Sequence, residues 1–402
     1  MRSPRPCEST PHGPAGWCLH TQGVGDVSSP SPPVVSFARH ATASTLLPGL
    51  FSRRFLRRAC AEFARGKRIT AEAVFELQKG SKDGREAAWM LLGEVTAHSP
   101  SLVDCDFVLK AWYERDLDNA SLSTAILNVL GCASKQLEPL ERKKLTQNLR
   151  QLLLSFSVEP PLIASSLLAL SRLSAPTSSS ASASDDMSVV QIAQEVLVAS
   201  ESRLRAVGQD FANLGRIDEL NVARLIFSLG ECAVFAPRAV SAGMVQAIEA
   251  IVAHEAGVEM DATAESAVTL SGKGYSGSLR AHAYLALGKL CLQREGLAKK
   301  WLAAMARELE TCSSPAVRNN IIVVMSDLCV RYPSTANRYL PTLALGLRDA
   351  SSLVRRQTLA LLTRLLTEDY VKLREGIFFR LLVTMVDADP AVRQLGEISV
   401  LG

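Results

Sequence analysis

Residues 349–355 read DASSLVR, and residues 387–393 repeat the pattern as DADPAVR. In both copies an Asp precedes an Arg by six residues. Apolar residues then follow Arg355 at positions +4, +7 and +10, which are Leu359, Leu362 and Leu365. Residues at this spacing lie on one face of an α-helix, so the stretch predicts a turn that leads into an amphipathic helix.

The same anchored pattern recurs through the carboxyl-terminal half of the chain. Arg280, Arg318, Arg355 and Arg393 are separated by 38, 37 and 38 residues. Arg85 begins a similar helix far upstream, and the 195 residues from Arg85 to Arg280 would hold five periods of 39 with degenerate anchors. A fixed period of this length indicates a repeat protein.

A second helical segment lies between successive anchors. From Leu297 to Leu309, apolar residues recur at spacings of 4, 1, 3 and 4. Two helices in a period of this length are typical of HEAT or armadillo arrays, whereas tetratricopeptide units are shorter. The sequence therefore predicts an all-α solenoid, which is a superhelix of antiparallel helix pairs.

The turn from Asp to Arg resembles the signature of HEAT repeats, in which Asp and Arg side chains of stacked repeats form a hydrogen-bonded ladder. Charge-assisted hydrogen bonds suit partly buried carboxylate and guanidinium groups. The Asp position before Arg318 holds Cys312, and the one before Arg280 holds Gly274. We therefore expect the ladder to be interrupted at both places. The predicted ladder residues are Asp349, Arg355, Asp387 and Arg393.

Composition divides the chain into four segments. Residues 1–50 are rich in Pro, Ser and Gly without helical periodicity, which predicts disorder. Residues 51–173 and 189–402 are predicted to form HEAT-type repeats, and a Ser-rich flexible linker at 174–188 joins them. In the linker, Ser182 and Ser184 precede two Asp residues. Acidophilic kinases favour this context, so the two serines are candidate phosphorylation sites, with a plain linker as the alternative.

The two ends of the chain raise further expectations. An acid-poor start followed by four arginines would suit a mitochondrial transit peptide, although a solvated helix face is the competing interpretation. These arginines are Arg53, Arg54, Arg57 and Arg58. Only nine residues follow Arg393, so we expect an unfinished last repeat. Because terminal repeats normally carry a polar cap, we also expect poor solubility of this chain alone.

Charge and composition argue against several classes of protein. The net charge of +4 on 402 residues is too small to indicate nucleic-acid binding by itself. The nine Cys and six His residues show no metal-ligand spacing, and the scattered Cys residues fit a reducing compartment. Apolar stretches are shorter than the roughly 18 residues that a membrane span needs. We therefore expect no metal, no cofactor and no membrane association.

A glycine-rich stretch, GKGYSG at residues 272–277, fits the dinucleotide-binding pattern. That pattern needs a strand before it and a helix after it. A helix is predicted from Ser278, but residues 261–270 lack strand character, and Ala267 and Gly274 stand where a Walker motif needs Gly and Ser or Thr. A loop that enters a repeat is the better interpretation, and we predict no enzymatic activity.

Basic side chains are the remaining candidates for a binding surface. If the repeats stack regularly, a row of Lys and Arg would line one side of the superhelix and hold phosphates by charge, without base readout. For each arginine, a ladder or solvent-exposed role is the alternative. The candidate DNA or partner contacts are Lys299, Lys300, Arg318, Arg331, Arg338 and Arg356.

The carboxyl-terminal repeats resemble the large HEAT-repeat regulatory subunit of condensin II. The resemblance covers residues 275–397 and is weaker around 85–115; its carriers include LRAHAYLALGKLCL from residue 279, RNN from 318 and DLC from 327. The FFR stretch from residue 378 is more similar to condensin II than to its condensin I counterpart. The resemblance implies a non-catalytic subunit that acts in mitotic chromosome condensation, in the nucleus and on chromosomes.

The resemblance also implies partners. They are the kleisin subunit and the SMC ATPase pair of condensin II, and DNA or chromatin through backbone contacts, with histones as a further candidate. Two other classes stay open on the residues alone. One is a HEAT-repeat adaptor of a vesicle coat, of nuclear transport or of a phosphatase, and the other is a dinucleotide-dependent enzyme built on residues 272–277.

Overall fold

The computed structural model describes most of the chain from residue 71 to residue 401. The described ranges are 71–72, 74–75, 78, 86–115, 119–175, 187–214, 218–256, 275–373 and 375–401. Several predictions fall outside these ranges: those on residues 1–50, on the four arginines that follow them, on Ser182 and Ser184 of the linker, and on residues 272–274 of the glycine-rich stretch.

Every regular element in the described ranges is helical, so the predicted all-α fold class is confirmed. The α-helices are α1 (Glu86–His98), α2 (Cys105–Tyr113), α3 (Ala120–Cys132), α4 (Pro139–Ser155), α5 (Pro160–Leu173), α6 (Val189–Leu214), α7 (Glu219–Phe235), α8 (Ala242–Ala256), α9 (Gly277–Gln293), α10 (Glu295–Thr311), α11 (Pro315–Arg331), α12 (Pro333–Ala336), α13 (Leu340–Leu343), α14 (Ser352–Thr367), α15 (Glu375–Val383) and α16 (Pro390–Leu401). Short 3-10 helices span Pro100–Leu102, Pro237–Ala239, Asn337–Tyr339, Ala344–Arg348 and Thr384–Val386.

The helices stack in two rows. Helices α1, α3, α5, α7, α9, α11, α14 and α16 pack successively against one another and form the anchor row. The other helices form the flanking row, and they pack against their neighbours in the anchor row. The four anchoring arginines, Arg280, Arg318, Arg355 and Arg393, each occupy the fourth position of an anchor-row helix. Equivalent side chains therefore recur at equivalent places along the solenoid.

Local sequence explains where several helices begin and end. Asp104, Asn119, Asp218 and Ser276 are N-cap residues whose side chains accept hydrogen bonds from backbone N–H groups of the first turn. Helix α4 ends at Phe156, which has a φ of 56° in the left-handed region. Such a residue redirects the chain and satisfies a free carbonyl at the helix end, which lets the next helix pack antiparallel.

The middle of the anchor row is the most enclosed part of the described chain. Almost every residue of α9 is buried, which is the pattern of a helix surrounded by neighbours. A Cβ atom added to Gly288 would lie 2.4 Å from Val324, and one added to Gly230 would lie 3.0 Å from Ala286. Helices α7, α9 and α11 approach this closely because the two glycines have no side chain.

One place in the flanking row is not a single helix. Between α11 and α14, the segment 333–348 consists of α12, α13 and two 3-10 helices. Pro333 and Pro341 stand in the first turns of α12 and α13. Since proline has no backbone N–H and its ring clashes with the preceding turn, both residues begin new helices. The segment still packs between α10 and α15, so it fills the flanking position of its repeat.

Candidate functional site

A line of ion pairs joins the turns of neighbouring repeats, and we call it the turn ladder. Arg318 donates from Nε and Nη2 to the two carboxylate oxygens of Asp349, over 2.6 and 2.8 Å. Arg355 makes the same bidentate contact with Asp387, over 2.7 and 2.8 Å. Bidentate pairs of this geometry are among the stronger hydrogen bonds in proteins. Each arginine therefore ties its own repeat to the next one.

The third nitrogen of each guanidinium holds the turn before its own helix. Arg318 Nη1 donates to the main-chain carbonyl of Cys312 over 2.6 Å, and Arg355 Nη1 donates to that of Asp349 over 2.8 Å. Arg393 Nη1 donates to the carbonyl of Asp387 over 2.6 Å. The six-residue spacing seen in the sequence therefore reflects an arginine-to-carbonyl contact, whereas the carboxylates pair with arginines of the preceding repeat.

The ladder lowers the pKa of its carboxylates. Burial by itself would raise the pKa of Asp349, but hydrogen bonds from Arg318 and from the Ser351 N–H hold it below the usual range. For Asp387, the hydrogen bond from Arg355 is the main cause of the lowered pKa. Both carboxylates are therefore charged at neutral pH.

The expected interruption of the ladder at Cys312 does not leave its arginine without an acidic partner. Arg280 pairs with Glu308, and both side chains are almost completely buried. The thiol of Cys312 lies 3.8 Å from Arg280 Nη1. It takes the position that Asp349 and Asp387 take beside Arg318 and Arg355. Glu308 belongs to the flanking helix α10 and not to the turn, which is why a search of the turn misses it. At this level of the ladder the arginine therefore still has an acidic partner, but the partner comes from a flanking helix.

A second line of charges crosses the anchor row in its interior, and we call it the buried row. Lys289 of α9 donates to Glu231 of α7, and both side chains are 1% exposed. Arg364 of α14 donates to Asp327 of α11 over 3.3 Å. Lys289 Nζ also lies 4.8 Å from the ring centroid of Phe227. The buried row thus links α7 with α9 and α11 with α14.

Burial dominates the electrostatics of the buried row. It raises the pKa of Asp327 to about 6, although Arg364 opposes the shift. Burial likewise raises the pKa of Glu231 and lowers that of Lys289, and the attraction between these two groups offsets only part of the effect. Removal from water disfavours the charged form of either sign, so these pairs cost more to bury than the ladder pairs.

Two of the six basic candidates lie on helix α10 of the flanking row. Lys299 pairs with Glu295 one turn earlier on α10, over 2.8 Å and largely in solvent. Lys300 donates to Glu249 of α8 over 2.8 Å, and the indole of Trp301 donates to the same carboxylate oxygen over 2.6 Å. Lys300 is therefore part of a contact between repeats, and Lys299 is the more accessible of the two.

The other four candidates do not extend a line of basic side chains from Lys299 and Lys300. Arg318 and Arg331 stand near opposite ends of α11 and are 13 residues apart, which means a separation of roughly 20 Å along the helix. Arg331 donates to the carbonyl of Leu292, Arg338 is exposed in segment 333–348, and Arg356 is half-buried near the start of α14. The prediction that the six form a single basic row is wrong, because they lie on both rows and at both helix ends.

The structure also locates the histidine and cysteine residues that the sequence analysis considered as metal ligands. His282 is half-buried with its ring edge against Phe227, at 6.0 Å between centroids, and burial lowers its pKa. Cys232, Cys291 and Cys329 are buried in the anchor row. In the described ranges, no group of three or more His, Cys, Asp or Glu side chains could hold a metal ion. None of the described helices has the length and apolar character that a bilayer crossing requires.

Comparison with known families divides the carboxyl-terminal half into two matches. Residues 219–309 match the model of Condensin-2 complex subunit D3-like HEAT repeats. Residues 316–400 match the model of non-SMC mitotic condensation complex subunit 1. The two matches meet between α10 and α11, so together they cover the turn ladder and the buried row.

Individual relatives extend the similarity over most of the chain. Condensin-2 complex subunit D3 of Mus musculus is 33% identical over 358 residues, which are 86% of this chain and 24% of the relative. Condensin-2 complex subunit D3-L of Xenopus laevis is 32% identical over 327 residues, which are 78% of this chain and 22% of the relative.

The corresponding subunit of the other condensin is similar over less of the chain. Condensin complex subunit 1 of Homo sapiens is 32% identical over 119 residues, which are 30% of this chain and 8% of that protein. The chain spans about a quarter of the length of the D3 relatives that it matches. It belongs to the D3-like family of HEAT-repeat condensin subunits.

Proposed function

We propose that this chain is a non-catalytic scaffold in a condensin II complex, where it binds the kleisin subunit beside the SMC ATPase pair. The observation that carries the proposal is the continuous stacking of the anchor-row helices from α7 to α16, where ion pairs connect α7 with α9, α11 with α14 and α14 with α16. Such an array presents a long, fixed surface to a partner chain. Its work would be in the nucleus, on mitotic chromosomes.

The surface for kleisin is the side of the anchor row that the flanking row leaves open. On α14 the partly exposed residues Arg356, Ala360, Thr363 and Thr367 follow one another at spacings of 4, 3 and 4, which places them on one stripe. Arg224 of α7 and His282 of α9 are also partly exposed. A mixture of apolar, hydroxyl and basic groups suits an extended polypeptide with acidic residues.

Co-purification tests this placement. An Ala360→Glu variant puts a charge on the open stripe, and we expect it to weaken the recovery of kleisin at least tenfold. Ala303→Glu is the matched control, since Ala303 is exposed on the flanking helix α10. Recovery of vesicle-coat or phosphatase subunits in place of a kleisin and an SMC pair would overturn the proposal, as would equal kleisin binding by both variants.

We also propose that exposed basic side chains add contacts to the DNA backbone. Of the exposed members of the candidate set, Lys300 is held by Glu249 of a neighbouring repeat, which leaves Lys299 and Arg338. Neutralising phosphates releases counterions, so the affinity for duplex DNA should fall steeply between 50 and 200 mM salt. Replacing both residues with Ala should reduce the salt slope by about 2, at about 1 for each phosphate contact. A flat salt response would move DNA contact away from this segment.

A further inference from the structure

The outward face of the flanking row repeats with the period of the array. In α10 the exposed positions Ala303, Arg307 and Glu310 are separated by 4 and 3 residues. Adding 38 to each number gives Pro341, Leu345 and Arg348, which are also exposed, and adding 38 again gives Phe379, Val383 and Val386, exposed as well. We call these three sets the outward positions of successive repeats.

Stacking of repeats does not cover an outward position. Helix α10 has packed neighbours in the flanking row on both sides, α8 and α13, and still exposes Ala303, Arg307 and Glu310. Phe378 is different, because its equivalents Leu340 and Leu302 are buried. Phe378 is therefore not an outward position, whereas the outward positions are exposed because of their place in the repeat.

Along the array the outward positions change from polar to apolar. Leu345 is 41% exposed, and Phe379, Val383 and Val386 are 56%, 48% and 79% exposed. Scattered apolar residues on a surface need no explanation, but these four are outward positions of two helical segments that pack against each other. A contiguous apolar patch of this kind marks an interaction site. We call it the outer patch.

Arginines flank the patch on its middle segment. Arg338 and Arg348 are exposed on either side of Pro341 and Leu345, and Arg338 donates to the hydroxyl of Tyr339 over 2.9 Å. Arg380, on the first turns of α15, donates to the carbonyl of Pro341 over 2.9 Å and so fixes the two segments together. Two carboxylates also border the patch: Glu310 lines one depression together with Leu345, and Glu375 is exposed one turn before Phe379.

We propose that the outer patch docks an amphipathic helix of a partner protein, which lies along the seam between segment 333–348 and α15. Its apolar face would contact Leu345, Phe379, Val383 and Val386, and acidic residues near its two ends would pair with Arg338 and Arg348. Ten residues separate the two arginines, so a partner helix of roughly 12 to 14 residues spans them at 1.5 Å per residue. This mode of binding places apolar anchors at i, i+3, i+4 and i+7 of the partner.

A designed peptide tests the proposal without a known partner. The probe is an 18-residue helix with Leu on one face and Glu on both flanks, labelled for fluorescence anisotropy. We expect saturable binding that falls at least tenfold when Phe379→Ser and Val383→Ser are combined. The matched control combines Val190→Ser and Val198→Ser on α6, where the two valines are 42% and 65% exposed, and it should bind like the unchanged chain.

A second peptide with Lys in place of Glu tests the charge requirement. The unchanged chain should bind it at least fivefold more weakly than the Glu peptide, and Arg348→Glu should remove that preference. Equal binding of both peptides, or an equal loss in the α6 control, would overturn the proposal. So would a dimer in light scattering that Val383→Ser dissolves, which would assign the patch to a second copy, or co-sedimentation with anionic vesicles that the same variant abolishes.

Discussion

The turn ladder and the buried row both join neighbouring repeats through ion pairs, yet water reaches them differently. Arg355 and Asp387 of the ladder keep 15% and 10% of their side chains exposed, whereas Lys289 and Glu231 of the buried row keep 1% each. In the ladder the pairing lowers the carboxylate pKa, and in the buried row desolvation raises it. For the buried pair, the cost of removing both charges from water therefore offsets part of the gain from pairing them.

Breaking the buried row should have the largest effect on stability. Lys289→Met leaves Glu231 buried without its cation, and we expect the free energy of unfolding to fall by about 3–5 kcal/mol. Urea denaturation followed by circular dichroism measures the loss, and hydrogen exchange should localise it to α7 and α9. The double variant Glu231→Met with Lys289→Met removes both charges and should recover most of the loss. A double variant as unstable as the single one would contradict the desolvation argument.

The contributions of the two regions to folding stability should change with pH in opposite directions. Asp327 has a pKa of about 6 in the folded chain against 3.8 when unperturbed, so between pH 4 and 6 the folded state binds more protons than the unfolded state. Its contribution to stability therefore decreases as pH rises through this window, by on the order of 3 kcal/mol at most. Asp349 and Asp387 have lowered pKa values, and their contribution is lost as pH falls below about 4.

Asp327→Asn separates the two responses. Because Asn does not titrate, the variant should lose the increase in stability on acidification from pH 7 to pH 5. Asp387→Asn should keep that increase and lose part of the decrease below pH 4. Denaturation midpoints measured across this range decide the matter, and identical pH profiles for the unchanged chain and Asp327→Asn would show that burial does not control this carboxylate.

A single rung of the ladder should contribute less than a buried pair. Asp387→Asn keeps an oxygen that can accept from the Asp389 N–H but removes the charge facing Arg355. We expect a loss of about 1 kcal/mol, which is typical of partly exposed pairs of good geometry. Raising the salt concentration to 1 M should reduce the difference, because the Debye length there is about 3 Å. A loss of stability that does not depend on salt would mean that the Arg355–Asp387 pair is as shielded from solvent as the pairs of the buried row.

The smallest effect is expected at the surface pair of Lys299 and Glu295. Lys299→Met makes the same chemical change as Lys289→Met, but on a side chain that is 59% exposed. Such pairs contribute less than about 0.5 kcal/mol, so the denaturation midpoint should hardly move. A loss comparable to that of Lys289→Met would mean that the lysine side chain itself, and not desolvation, explains the larger effect.

Much of the fold could be predicted because the repeat pattern uses local spacings. Arginines 37 and 38 residues apart mark the fourth position of successive anchor-row helices. The apolar residues predicted after Arg355 form the buried side of α14. The ladder was predicted from a six-residue spacing, but its carboxylate pairs join residues 31 and 32 apart. Only the stacking of repeats brings those residues together, so no local pattern could reveal the partners.

The buried row was missed for a related reason. Lys289 lies in the run LALGKLCL, and a lysine in a helix is usually assumed to face solvent. The available signal was that α9 is apolar on all sides, which indicates a helix without a solvated face, so a charge within it must have a partner. The partner Glu231 lies 58 residues away, beyond any single repeat. The outer patch was missed because its register appears only when exposure is compared between repeats.

The contact of Gly288 with Val324 has a mechanical consequence. A solenoid bends by rotating one repeat against the next, and such a rotation at α9 and α11 would drive the valine methyl groups into the backbone of α9, with no side chain to yield between them. Direct contact between these methyl groups and the backbone of α9 therefore resists a change of curvature at this joint, and the same holds where Gly346 of segment 333–348 approaches Thr358 of α14.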